Sequence, residues 1–115
     1  GATAPGRRPS TGVAAAGGIA ALAAAMRGHP TDSGVQNAAC AALGRMAEST
    51  IHRAAVAAAG GIVAIAAAMR AHPDDDCVQS NACEVLSEMA QSEEHRAAIA
   101  AAGAVAALTA FFPQG

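Results

Sequence analysis

Hydrophobic positions recur along this chain at helical spacing, and the pattern is written more than once. Ile62, Ile65 and Met69 stand at i, i+3 and i+7, which places them on one face of a helix. Ile19, Leu22 and Met26 have the same spacing, as do Val105, Leu108 and Phe112. A longer stripe follows the first two of these: Val35, Ala39, Ala42, Leu43 and Met46, then Val78, Ala82, Val85, Leu86 and Met89. Opposite it runs a mostly polar row, Asn37, Ala41, Arg45 and Glu48, then Ser80, Glu84, Glu88 and Gln91. Polar residues at helical spacing opposite an apolar stripe are predicted to face solvent or a partner.

The period is 43 residues. Laying Gly17–Ala59 over Gly60–Ala102 without a gap gives 27 identities in 43 positions, and self-similarity at such a period marks a repeat architecture. Each unit reads as three helices. A short one ends at Ala16, Ala59 or Ala102, beginning near Thr50 in the second copy and near Ser92 in the third. A Gly17, Gly60 or Gly103 break ends it, because glycine takes the left-handed turn or the close helix approach that such a corner needs. The second helix covers Gly18–Arg27, Gly61–Ala71 and Ala104–Phe112. His29-Pro30 and His72-Pro73 stop it in the first two copies, since the residue before proline is pushed out of the helical region. The third and longest spans about Ser33–Glu48 and Asp76–Gln91, with Asp32 and one of Asp74, Asp75 and Asp76 as N-caps. The units are then about 13–49, 50–91 and 92–115, the last incomplete, after a disordered lead-in over residues 1–12.

Composition sharpens the class. Hydrophobic residues are 53% of the chain, but most are Ala, and the aromatics are only Phe111 and Phe112. Alanine is the best helix former and lets helices approach closely, so an all-α fold with a thin core is expected. All seven basic residues are Arg, and the formal charge is −2, which argues against a nucleic-acid surface. No apolar run is long and uninterrupted enough to span a membrane. Three cysteines, Cys40, Cys77 and Cys83, with no secretory signal fit a reduced setting, cytoplasmic with the nucleus as the alternative. The chain starts with Gly1 rather than Met, which suggests part of a longer protein.

Three helices per 43-residue unit, with an Ala-Gly-Gly-Ile junction at residues 59–62 and a third helix built on Ala82, Leu86, Met89 and Ala90, or Ala39, Leu43, Met46 and Ala47, resemble the armadillo repeat family. The resemblance covers residues 13–112, about two and a half repeats. It implies a right-handed α-solenoid of armadillo-type three-helix repeats, whose third helices line a concave groove that holds extended peptides. It implies a protein–protein interaction scaffold; no nucleophile, base and orienting group converge in the sequence, so neither enzymatic activity nor a cofactor is expected. The partner-binding row would be Asn37, Ala41, Arg45, Glu48, Ser80, Glu84, Glu88 and Gln91. Nuclear-import members of the family place a Trp and, four residues later, an Asn on this helix. Here those positions hold Ala41 and Arg45, then Glu84 and Glu88, so binding of the nuclear-signal type is not expected. The slight acidic excess favours a neutral or basic protein or peptide partner. The alternative is a structural spacer that holds an attached catalytic domain or neighbouring repeats.

No other chemistry stands out. The repeat-equivalent pairs His29 and His72, His52 and His95, and Cys40 and Cys83 lie one unit apart, too far to share a metal ion, and the spacing of zinc ligands is missing. The histidines are expected to close loops, and Cys40 and Cys83 to be small core residues. Cys77 at the start of a third helix lacks a base beyond His72. Asp74, Asp75 and Asp76 lack the alternating acids and the glycine of a calcium loop. Arg45 and Glu88, at equivalent places on neighbouring third helices, are expected to pair across the unit boundary. Phe112, and Phe111 beside it, would be left uncovered where the third unit stops, which suggests self-association through that end.

Overall fold

The computed structural model describes residues 11–103, which form six helices and no strand. They are α1 (Thr11–Gly28), α2 (Ser33–Met46), α3 (Thr50–Ala58), α4 (Gly61–Ala71), α5 (Asp76–Met89) and α6 (Glu93–Ala101). The all-α expectation holds for these residues. The lead-in up to residue 10 and the expected helix Ala104–Phe112, with Phe111 and Phe112, lie outside them.

Local chemistry sets most boundaries. Asp32 has extended backbone, and its side chain accepts from the Val35 amide at 3.1 Å to start α2. Asp75 does the same for α5, accepting from Cys77 and Val78 at 3.0 and 3.1 Å. These caps satisfy backbone donors that have no partner inside the helix. Of the three clustered aspartates, Asp75 is therefore the cap. Ser92 starts α6 without a side-chain cap bond, and its hydroxyl serves another group described below.

The glycine pairs behave differently in the two copies. Between α3 and α4 the chain turns by 71°. Gly60 sits in the left-handed region at φ 79°, as does Gly103 after α6. A Cβ on Gly61 would lie 2.6 Å from Val56 Cγ1 and 2.8 Å from Val56 O, so the corner requires glycine for close approach as well. Gly17 and Gly18, expected to break the first copy in the same way, instead lie inside the single 18-residue helix α1. The corners carry a contact from the neighbouring unit that the straight helix lacks. A corner frees the carbonyl that ends the short helix. Arg27 donates to Ala59 O at 3.2 Å, and Arg70 donates to Ala102 O at 3.3 Å. No arginine among the described residues reaches the equivalent Ala16, and there the helical ladder runs straight on through the glycines.

The helices pack by equivalence: α2 lies along α5, α1 lies along α4, and α1 also crosses α3. Their shared core holds Ile19, Met26, Leu43, Val56, Ile62, Ile65, Met69, Val78, Val85, Leu86, Met89 and Ile99. Buried Ala23, Ala39, Ala64, Ala66, Ala68 and Ala82 fill the space between these larger side chains. The expected stripe Val78, Ala82, Val85, Leu86 and Met89 is wholly buried. Its first-copy equivalents Val35, Ala42 and Met46 are only half-buried.

Two polar core residues have no counterpart in an apolar-stripe reading. Gln36 is 1% exposed and Gln79 is 2% exposed. The Gln36 amide donates to Met26 O at 3.0 Å and His29 O at 2.8 Å. Gln79 repeats this at Met69 O and His72 O, at 2.9 and 3.0 Å. Each glutamine thus satisfies the last carbonyls of the preceding helix, which would otherwise be buried without donors.

Candidate functional site

The predicted row lies on α2 and α5, the two helices packed side by side. Arg45, Glu48, Ser80, Glu84 and Gln91 are exposed, whereas Asn37, Ala41 and Glu88 are half-buried. Asn37 turns toward α5, where the Asn81 amide donates to its Oδ1. Gly44, seven residues on, meets the same helix: a Cβ there would touch Val85 Cγ2 at 3.4 Å. Ala41 sits between them on that face. The structure therefore divides the row into residues that join the helices and residues open to solvent.

The expected Arg45–Glu88 pair does not form. Glu88 Oε1 lies 3.9 Å from the guanidinium of Arg53 instead, and Arg45 is in no ion pair among the described residues. Arg53 prevails because a backbone carbonyl orients it. Its Nε donates to Ala47 O at 2.7 Å, at the C-terminus of α2. The outer nitrogens then reach Glu48 O at 3.3 Å, Gln91 Oε1 at 3.2 Å and Ser92 Oγ at 3.3 Å. Gln91 in turn donates to Glu88 at 3.0 Å. With Arg53 only 8% exposed, this network is a joint between units. A planar, forked guanidinium suits it, since one side chain can bond two carbonyls and two side chains while its charge faces Glu88. The joint was not legible in the periodic pattern. Its signal is the repetition of Arg53 as Arg96 one period on.

His52 and His72 bond the backbone of the frame, and Cys40 lies in its core. His72 Nε2 donates to the Pro30 carbonyl at 2.9 Å, linking equivalent corners, and His52 Nδ1 lies 3.2 Å from Met46 O. His95 is buried, 3.8 Å from the Glu94 carboxylate. Cys40 is fully buried, and burial pushes its thiol up to about 12; burial raises the half-buried Cys83 as well. Cys77 is exposed. No three His, Cys, Asp or Glu side chains converge as metal ligands among the described residues. No single helix among them is long and apolar enough to cross a membrane.

Compared with protein-family models, curated proteins and solved structures, the chain matches none. What the geometry defines is a class: an all-helical chain whose copies reuse the same contacts, with a polar surface on α2 and α5.

Proposed function

We propose that this chain is a segment of an armadillo-type right-handed α-solenoid that serves as a protein–protein interaction scaffold. The architecture is supported by contacts that recur every 43 residues: Asp32 and Asp75 as caps, Gln36 and Gln79 on carbonyls, Arg27 and Arg70 at corners. One observation carries the function. Arg45, Glu48, Ser80 and Glu84 share the surface of two packed helices, are exposed, and have no side-chain partner there among the described residues. A row of charged and polar side chains on rigid helices is suited to reading an extended neutral or basic peptide segment.

Charge reversal tests this at residues outside the joint. A peptide library is panned against the wild-type chain and against Glu84→Lys. The expected result is that Lys- and Arg-containing peptides selected by the wild type are lost and acidic ones gained. Identical selections, or none from either protein, would overturn the reading.

The spacer alternative has its own support. Asn37, Glu88 and Gln91, three of the eight row residues, are engaged in contacts that hold the units together. On that reading the row stiffens an array that positions other domains.

A further inference from the structure

Equivalent residues on α2 and α5 differ in burial in opposite senses on two sides of the helix: Val35, Ala42 and Met46 are less buried than Val78, Val85 and Met89, and the other side shows the reverse. On α2 the side turned to α5 carries Cys40, Gly44 and Ala47, all buried. Their equivalents on α5 are Cys83, Ser87 and Ala90, of which Ser87 is exposed and the other two half-buried. The arginines repeat the contrast: Arg53 is buried under α5, and Arg96 is exposed. Arg96 is nonetheless set in the same pose, its Nε donating to Ala90 O at 2.7 Å as Arg53 does to Ala47 O. Arg53 uses its outer nitrogens on Glu88, Gln91 and Ser92, whereas those of Arg96 have no partner among the described residues.

We propose that the outer face of α5, with Arg96 at its end, is a docking site for one further amphipathic helix, which packs on α5 as α5 packs on α2. The occupant is defined by the chemistry of that template. It carries an apolar stripe with a carboxylate and an amide three residues apart near its C-terminus, in the places of Glu88 and Gln91, to take the Arg96 guanidinium. It also needs a smaller residue where α5 has Val85. Gly44 allows Val85 to approach, since even a Cβ there would be in contact at 3.4 Å; Ser87, in the place of Gly44, carries a Cβ and a hydroxyl. Alanine meets that need. Opposite-charge pairing between an oriented guanidinium and an incoming carboxylate supplies the register. Ser80 and Glu84 hold the places of Asn37 and Ala41 and border this face, so a docked helix would cover them; Arg45 and Glu48 on α2 stay outside it.

The probe is a synthetic peptide of residues 76–92 with Val85→Ala, added in trans to the intact chain. Binding is followed by anisotropy of the labelled peptide and by alkylation of the cysteines. The peptide is expected to bind and to shield Cys83, as α5 shields Cys40, while leaving Cys77 reactive. Arg96→Glu should weaken binding about tenfold, roughly 1.4 kcal/mol. A peptide with Glu88→Lys should fail on the wild type and recover on Arg96→Glu. Absence of binding, binding that leaves Cys83 reactive, or indifference to Arg96→Glu would overturn the proposal. So would shielding of Cys83 that grows with protein concentration alone, which would assign the face to a second copy of the chain.

Discussion

The two glycine pairs give a test with opposite signs at equivalent positions. Gly18 lies inside α1, and a Cβ there would meet nothing within 4 Å. Alanine at that place costs no packing and removes the entropic penalty of a mid-helix glycine, so Gly18→Ala should stabilise by about 0.5–1 kcal/mol. Gly61 sits in the α3–α4 corner, where the same Cβ would come within 2.6 Å of Val56 Cγ1 and 2.8 Å of Val56 O. Carbon contacts are normally about 3.5–4.0 Å, so the overlap is about 1 Å, and part of it is with backbone that cannot rotate aside. Overpacking of this kind costs about 1–3 kcal/mol, and Gly61→Ala should therefore destabilise by that amount. The third copy carries Ala104 in this place, so the variant should fold with a measurable loss. With no Trp and no Tyr in the chain, urea unfolding is followed by far-ultraviolet circular dichroism. At a slope of about 1–3 kcal/mol per molar urea, the two midpoints should move apart by roughly 1 M. Shifts of the same sign would refute the reasoning, because they would mean that both pairs adopt one geometry, either both bent or both straight.

Two further outcomes follow from the core. Gln79→Leu keeps the volume but strips the donors from Met69 O and His72 O, and should cost about 1–3 kcal/mol in the same urea assay; a neutral result would show that water replaces the amide. Burial raises Cys40 from 9.0 to about 12, so the folded state holds its proton more tightly than the unfolded one. That stability is fully present below pH 9.0 and is lost as pH rises toward about 12. The wild type should therefore lose up to about 1.4 kcal/mol per pH unit across this window relative to Cys40→Ala, and parallel pH profiles would refute it.

How much the sequence revealed depended on how far each signal had to reach. The stripes, the N-cap at Asp32, a cap among Asp74, Asp75 and Asp76, and the stop at His72-Pro73 were legible because a few neighbouring residues decide them. The exposed part of the row, Arg45, Glu48, Ser80, Glu84 and Gln91, was legible for the same reason: helical spacing alone puts them opposite the stripe. Asn37 and Glu88 share that spacing, but neighbouring helices claim them, Asn37 through Asn81 and Glu88 through Arg53.

The sequence by itself determined that the chain is helical, where most helices begin and end, and that its units repeat every 43 residues. Only the tertiary structure decided which glycine pair bends. Gly17-Gly18 and Gly60-Gly61 are the same two letters, yet only the second pair bends, and there Arg27, 32 residues away, takes the carbonyl of Ala59. The choice of Arg53 over Arg45 as the partner of Glu88 was likewise decided by packing, since Ala47 O holds the Arg53 guanidinium at the joint. Helical periodicity is a property of one element, whereas a corner or a joint exists only where two units meet, and its partners lie about one period apart along the chain.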